Sequence, residues 1–190
     1  RLVKNFTCSP PNQGFSIGAR YGGSDPFKGS IDEVRYYSGY INSNQILSIY
    51  NSTRSRNSSL FSSTTFVYFN NSGDRIRIGN QTVFDLKNFS VSFWAKPNTA
   101  GGGGTSSVVI AKDGLSPNRG FYYQLGSTGL WTGFNGNVQT ISTLPVSYGI
   151  WQHMVYVYNG SGLIIYKNSI SGGYSVTNVS TYTNSNLTIG

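Results

Sequence analysis

The side chains that could do acid–base or nucleophilic chemistry are few in this chain of 190 residues. It has six carboxylates, and they are Asp25, Asp32, Glu33, Asp74, Asp85 and Asp113. A retaining glycosidase needs two carboxyl groups about 5 Å apart, and Asp32-Glu33 is the only adjacent acidic pair. Successive residues of a strand point to opposite faces of a sheet, so this pair does not predict a catalytic dyad.

The only histidine and the only cysteine predict no catalytic site either. His153 lies in an apolar run beside Trp151 and Val155, where a core or cross-strand hydrogen-bonding role is the simpler interpretation. Cys8 excludes an intrachain disulfide, and we interpret it as an incidental thiol, with a bridge between chains as the alternative. No metal-ligand cluster or phosphate-binding motif occurs in the sequence. We therefore predict a protein that is not an enzyme and needs no cofactor.

The composition is typical of a secreted or surface β-sandwich. Charged residues make up 11% of the chain, and the formal net charge is +8. The basic residues are scattered, with Arg54/Arg56 and Arg75/Arg77 as the only close pairs. We interpret them as a solvated face; general affinity for polyanions and adaptation to an acidic medium are the alternatives. No nucleic-acid motif and no run of about 18 apolar residues occurs, so neither a nucleic-acid partner nor a membrane span is predicted. The start at Arg1 fits a mature product or an excised fragment.

Asn-x-Ser/Thr sequons are frequent. They number nine, against about four expected by chance, and each is a possible N-glycan acceptor in a secreted protein. This excess predicts a densely glycosylated surface protein; the alternative is a chain rich in these residues that is never modified. The predicted glycosylation sites are Asn5, Asn51, Asn57, Asn70, Asn80, Asn88, Asn159, Asn178 and Asn186.

Many short strands separated by turn signals predict an all-β sandwich. Residues 89–95 alternate so that Phe89, Val91 and Phe93 share one face and Trp94 takes the other. Residues 151–158 form the clearest long strand. Asn42 followed by Gln45 fits a capping box, which predicts one short helix up to residue 50. Strands at this spacing with almost no helix indicate a two-sheet sandwich or jelly roll.

Several segments resemble strands of the laminin-G-like, concanavalin A-like jelly rolls. They are Phe89-Ser90-Val91-Ser92-Phe93-Trp94, Trp151-Gln152-His153-Met154-Val155, Leu163-Ile164-Ile165-Tyr166-Lys167-Asn168, Leu187-Thr188-Ile189-Gly190 and Pro26-Phe27-Lys28-Gly29-Ser30-Ile31-Asp32-Glu33-Val34-Arg35-Tyr36-Tyr37. The resemblance implies an antiparallel two-sheet jelly roll with one short helix. The last of these segments closes the domain in that family, yet here it stands near the beginning of the chain.

This displacement suggests a division of the chain. Residues 1–14 are an N-terminal extension, 15–50 the closing segment, 51–59 a polar linker, and 60–190 a jelly-roll body that lacks its last strands. Phe15-Ser16-Ile17-Gly18 also repeats the pattern of residues 187–190. The closing segment could fold back within its own chain, insert into a neighbouring copy, or belong to one repeat of a tandem array. The predicted assembly residues are Phe15, Ile17, Phe27, Ile31, Val34, Tyr36, Leu187 and Ile189.

The resemblance also implies ligands. Domains of this family often bind calcium through an Asp and backbone carbonyls, and Asp25, Asp74 and Asp113 lie in Gly-containing turns that could supply such ligands. A turn-forming role is the default for these residues. Carbohydrate binding is a further expectation at the level of the family. Tyr21, Trp131 and Tyr148 could offer stacking platforms, although buried aromatic residues are more common.

Together these features predict a non-catalytic extracellular glycoprotein with a structural or adhesive role. The composition resembles that of surface filament proteins of archaea. The leading hypothesis is a filament subunit that joins copies of itself head to tail by strand complementation. The alternative is a glycan-binding module of a larger surface protein.

Overall fold

The computed structural model describes residues 14–20, 24–54, 66–70, 74–79, 88–98, 106–113, 120–135 and 138–176. Within these ranges the chain forms twelve strands and one helix. In chain order they are β1 (Gly14–Ile17), β2 (Gly29–Ser38), α1 (Ser43–Thr53), β3 (Val67–Phe69), β4 (Ile76–Gly79), β5 (Phe89–Pro97), β6 (Ser107–Asp113), β7 (Phe121–Leu125), β8 (Leu130–Asn135), β9 (Val138–Pro145), β10 (Gln152–Tyr158), β11 (Gly162–Lys167) and β12 (Ile170–Val176).

The strands build two six-stranded antiparallel sheets, which confirms the predicted jelly-roll sandwich. The first sheet has the order β4-β1-β6-β7-β8-β9, and the second has the order β12-β11-β10-β5-β2-β3. Strands that follow one another in the chain pair through β6 to β9 and through β10 to β12. The N-terminal strands β1 and β2 depart from this simple order.

β1 and β2 lie inside the sheets of their own chain. β1 pairs with β4 on one side and with β6 on the other. β2 pairs with β3 and with β5, and its contact with β5 runs from Gly29 opposite Pro97 to Ser38 opposite Phe89. Because each strand has a partner on both edges, the N-terminal segment completes both sheets. Whether the same strands also exchange between copies stays a prediction.

The core fills the space between the sheets and is dominated by aromatic side chains. Phe89, Val91 and Phe93 are buried in it as predicted, and Trp94 points to the outer face of the second sheet. Rings from opposite sheets meet directly, since the Tyr123 and Tyr156 ring centroids lie 3.9 Å apart. Further core members are Phe15, Ile17, Phe27, Ile31, Phe69, Ile110, Phe121, Leu125, Trp131, Met154, Leu163 and Ile165, with Val34 and Tyr36 packed against them.

Helix α1 covers part of the outer face of the second sheet. It begins with the predicted capping box, in which the Asn42 side chain accepts from the Gln45 backbone N–H and the Gln45 side chain accepts from the Asn42 backbone N–H. These bonds satisfy N–H groups that a helix start otherwise leaves unpaired. Ile46 is fully buried against the β10 residues Val155 and Val157. Those two residues face outward from β10, so the helix gives the sheet a second, smaller apolar layer.

The sequences of β9 and β12 do not show the alternation of apolar and polar residues that predicts a strand. In β9 the inward residues Thr140 and Ser142 are polar and buried, whereas the outward Ile141 is exposed. β12 contains Gly172, and a Cβ there would lie 2.0 Å from Leu144 Cγ in β9. The two edge strands from opposite sheets therefore approach so closely here that a Cβ at position 172 would displace the Leu144 side chain.

Several predicted features lie outside the described residues. They are the N-terminal extension with Cys8, most of the polar linker, Tyr21, Asp85, Leu187 and Ile189, and the sequon residues Asn5, Asn57, Asn80, Asn178 and Asn186.

Candidate functional site

An exposed aromatic surface lies at one end of the second sheet. We define this aromatic surface as Phe66, Tyr68, Tyr148, Ile150 and Trp151. Of its members, Phe66 is 41% exposed, Tyr68 52%, Tyr148 39% and Ile150 62%. Exposed apolar residues are ordinary when they are scattered, but a group of them marks an interaction site.

Three contacts bring the members of the aromatic surface together from distant parts of the chain. The Phe66 and Trp151 ring centroids lie 5.8 Å apart at an interplanar angle of 65°. Asn98 Nδ2 donates to the Tyr68 hydroxyl at 3.0 Å, which fixes that ring beside the end of β5. The Gly149 N–H donates to the Pro97 carbonyl at 2.7 Å, so the turn that carries Tyr148 and Ile150 lies against the same end of β5.

Strand register explains which side chains reach this surface. Tyr68 is opposite Ser30, and Ser30 is opposite Lys96. Side chains at such opposed positions project to the same side of the sheet. Phe69 enters the core, so its neighbour Tyr68 must face outward. Tyr68 therefore lies on the outer face of the sheet, on the side away from the core.

The Gln152 side chain fixes the turn that contains Tyr148 by hydrogen bonds to its backbone. Gln152 Oε1 accepts from the Ser147 N–H at 3.0 Å and from Trp131 Nε1 at 3.2 Å. Its Nε2 donates to the Ser147 carbonyl at 2.7 Å and to the Ile150 carbonyl at 3.3 Å. Gln152 is buried, so these bonds are protected from water. A surface held in this way loses little conformational entropy when it binds a ligand.

Lys167 fixes the same turn from the neighbouring strand. Its ammonium group donates to the Pro145 carbonyl at 2.6 Å and to Ser147 Oγ at 3.1 Å. Partial burial lowers the pKa of Lys167. Both oxygens belong to the segment before Tyr148, so the Lys167 ammonium group ties β11 to that turn.

A second cluster of polar and aromatic side chains is buried beneath α1. Trp94 Nε1 donates to Thr53 Oγ1 at 2.9 Å, and the Tyr50 ring stacks on Trp94 at 5.7 Å between centroids. His153 lies beside both rings, 5.2 Å from Trp94 and 6.0 Å from Tyr50. Its Nδ1 has no hydrogen-bond partner among the described residues. This environment agrees with the predicted core role of His153.

Burial decides the charge state of His153. The pKa of His153 is lowered from 6.5 to about 4; desolvation is the largest cause, the positive charge of Arg35 acts in the same direction, and the negative charge of Glu33 opposes both. The imidazole is therefore neutral at neutral pH. It has no access to solvent or to a substrate, since it is only 1% exposed.

The acidic pair in β2 is used structurally. Glu33 adopts a φ of +51°, inside an irregularity of the β2–β5 register between Asp32 and Arg35. The Glu33 carboxylate forms an ion pair with Arg35, and Asp32 Oδ1 accepts from the Glu33 N–H at 2.7 Å. The regular alternation that places Asp32 and Glu33 on opposite faces is thus interrupted here. Both carboxylates have local partners that fix this turn of the strand.

The three calcium candidates have different local contacts. Asp25 forms an ion pair with Arg20 at 3.5 Å and has a φ of +52°. Asp74 accepts from the Asn70 N–H at 2.9 Å. Asp113 ends β6, where its backbone pairs with Gly14. In the described ranges no three acidic, histidine or cysteine side chains come together as a metal site. Calcium binding by these residues stays a prediction.

The predicted stacking platforms divide into two cases. Trp131 is fully buried, which is the more common case for an aromatic residue; it fills the space between the sheets and donates to Gln152, so it is not a stacking platform. Tyr148 is exposed and belongs to the aromatic surface. Sequence reasoning missed Phe66, Tyr68 and Ile150. The apolar run of residues 66–69 indicated a strand, but not that it would lie at the edge with one side open.

The fold on which the aromatic surface lies is an antiparallel two-sheet jelly roll. A family profile described as the concanavalin A-like lectin/glucanases superfamily matches residues 70–190. The chain belongs to this superfamily, in its laminin-G-type branch. No curated protein and no solved structure matches it significantly. In the described residues no helix is long and apolar enough to cross a membrane.

Proposed function

We propose that this chain is a non-catalytic adhesive module that works outside the cell and binds carbohydrate through the aromatic surface. The observation that carries the proposal is the exposure of Phe66, Tyr68 and Tyr148 on a turn and a strand edge that hydrogen bonds hold in place. A sugar ring presents polarised C–H groups, which the negative face of an aromatic ring attracts. Three open rings on one rigid surface suit such a ligand.

The carboxylates support binding without hydrolysis. Glycoside hydrolysis by retention needs two carboxyl groups about 5 Å apart, one of them free to donate a proton. Asp25 and Glu33 are in ion pairs, and Asp32 and Asp74 accept backbone N–H groups. None of the four belongs to the aromatic surface as defined. A hydrolase would instead show turnover of a glycan that is lost in the Glu33→Gln variant.

The position of the sequons supports an extracellular role. Asn51, Asn70, Asn88 and Asn159 all lie in the described residues, and all four are exposed. Domains of this superfamily are also commonly extracellular. N-linked glycans on these residues would project into solvent without displacing the core.

A glycan array followed by a titration tests the proposal. The full chain is applied to immobilised glycans, and the dissociation constant of the best ligand is measured for the wild type, Tyr68→Ala and Tyr148→Ala. We expect each substitution to weaken binding about tenfold, since aromatic contacts at the centre of an interface contribute more than about 1 kcal/mol.

Tyr174→Ala is the matched control. Tyr174 is an exposed tyrosine of β12, at the opposite edge of the same sheet from β3. Its removal should leave the dissociation constant unchanged. Equal losses in all three variants, or no glycan binding by the wild type, would reject the aromatic surface as a carbohydrate site.

A second candidate function is a filament subunit that assembles head to tail by strand complementation. It is supported by the position of β1 and β2, which complete both sheets from the N-terminal end of the chain. It is also supported by residues 187–190, which repeat the sequence pattern of residues 15–18. One chain therefore contains two segments that could form the same strand of a jelly roll. A neighbour's strand in the place of β1 or β2 would make a contact that is not self-limiting.

Light scattering on residues 1–190 and on residues 51–190 separates the two functions. If the full chain is monomeric and the shorter one aggregates, residues 15–50 complete their own domain and the binding module is supported. If the full chain polymerises, and added residues 1–50 keep the shorter chain soluble, the filament subunit is supported.

A further inference from the structure

The hydroxyl groups of the described sequons differ in a way that their asparagines do not. An N-glycan acceptor is defined by the asparagine together with a Ser or Thr two residues later. The asparagines of the sequons at Asn51, Asn88 and Asn159 are all exposed. Their hydroxyl partners are Thr53, which is buried, Ser90, which is buried, and Ser161, which is exposed.

The hydroxyl of the Asn51 sequon is built into the fold. Thr53 Oγ1 donates to the Ile49 carbonyl at 2.7 Å and accepts from Trp94 Nε1 at 2.9 Å. Residues two apart on a helix are about 200° apart around its axis. Asn51 therefore faces solvent while Thr53 faces the sheet. While α1 is folded, an enzyme therefore cannot bind the Asn51 amide and the Thr53 hydroxyl at the same time.

The hydroxyl of the Asn88 sequon is equally occupied. Ser90 is 0% exposed, and its Oγ donates to the Gly39 carbonyl at 3.1 Å while it accepts from the Ile41 N–H at 3.1 Å. Ser90 also lies in β5, which has a hydrogen-bonded strand on each side. Reaching it requires residues 39–41, which follow the end of β2 and bond to this hydroxyl, to move away from β5.

The Asn159 sequon is different because it forms the turn between β10 and β11. All three of its residues are exposed. Asn159 Oδ1 accepts from the Ser161 N–H at 3.0 Å and from the Gly162 N–H at 2.9 Å, so only the amide oxygen is engaged by these bonds. The Tyr158 hydroxyl donates to the Gly160 carbonyl at 3.2 Å, so opening this turn breaks a hydrogen bond to a core tyrosine but removes no strand from a sheet.

We propose that folding separates the sequons into two classes. Asn51 and Asn88 accept a glycan only in the unfolded chain, whereas Asn159 accepts one before and after folding. In each transfer the amide nitrogen forms a bond to the anomeric carbon of a nucleoside-diphosphate sugar. The bond from that carbon to the diphosphate breaks, the nucleoside diphosphate leaves with the bonding electrons, and the amide nitrogen loses one proton.

The test uses a soluble sequon-specific N-glycosyltransferase with UDP-glucose. Its substrates are the folded full chain and three synthetic peptides that carry the same sequons without a fold. The rate at each asparagine is measured by peptide mass spectrometry. Relative to its own peptide, Asn159 should react at a similar rate in the folded chain, and Asn51 and Asn88 should react at least about tenfold more slowly because they need local unfolding.

A Trp94→Phe variant gives an internal control. It removes the N–H that Thr53 accepts but keeps a ring against Tyr50, so α1 should loosen near its C-terminal end. The rate at Asn51 should rise while the rate at Asn88 stays low. Rates in the folded wild type that match the peptides at Asn51 and Asn88 would overturn the proposal, as would a rate at Asn159 as low as at the other two sites.

Discussion

At the scale of single residues, the buried cluster under α1 makes stability depend on pH. The pKa of His153 is lowered from 6.5 to about 4, chiefly by burial. The unfolded chain thus takes up a proton at a higher pH than the folded chain. Stability is complete above pH 6.5 and declines as the pH falls towards 4, by at most about 3 kcal/mol. Urea unfolding across this range should show the decline in the wild type.

His153→Gln is the comparison for that experiment. It keeps a buried polar side chain of similar size but removes the titrating group. The difference in free energy of unfolding between the two proteins should shrink as the pH falls. If the two curves stay parallel, burial of His153 does not control the acid sensitivity.

Thr53 gives a second prediction at this scale. Thr53→Val keeps the shape but leaves the buried Trp94 N–H without its acceptor. We expect a loss of about 1–3 kcal/mol in the free energy of unfolding. Thr53→Ser, which keeps the hydroxyl, should lose less. A double variant with Trp94→Phe should recover part of the loss, because neither partner then remains unpaired; additive losses would contradict this account.

At the scale of elements, the hairpin between β11 and β12 holds Ser169 in a backbone conformation that glycine adopts more easily. Asn168 has a φ of +49° and Ser169 a φ of +67°. Two positive φ values define a turn that favours Asn-Gly. Ser169→Gly should therefore stabilise the protein by about 0.5–1 kcal/mol. Thermal unfolding measures this, with Ser171→Gly in the following strand as a control that should destabilise.

Some elements of the fold could be predicted from the sequence pattern and others could not. The capping box of α1 and the faces of Phe89, Val91, Phe93 and Trp94 were predictable because local spacing determines them. β9 was not, because its buried positions are polar and its exposed Ile141 is apolar. The aromatic surface was missed except for Tyr148, since its members meet only when β3, β5 and the turn before β10 are brought together by tertiary structure.

At the scale of the whole molecule, the two sheets depend on a segment from the far N-terminal end. A protease site introduced between residues 55 and 65 should give two fragments that stay together, because β1 and β2 each have hydrogen-bonded strands on both sides. Size-exclusion chromatography of the cleaved protein should show one species of unchanged size. In denaturant the two fragments should separate, and after dilution of the denaturant they should associate again. Fragments that separate without denaturant would show that the N-terminal segment is only loosely held.

The placement of β2 also has a consequence for synthesis on the ribosome. Tyr36 pairs with Val91, and Phe15 lies opposite Lys112. β1 and β2 are therefore synthesised well before β5 and β6, with which they pair, and at about 5–20 residues per second the delay is several seconds. During that time the core that buries Phe15, Ile17 and Ile31 in the folded protein has not formed. The nascent chain thus has a defined interval in which a chaperone, or a neighbouring nascent copy, competes with its own later strands.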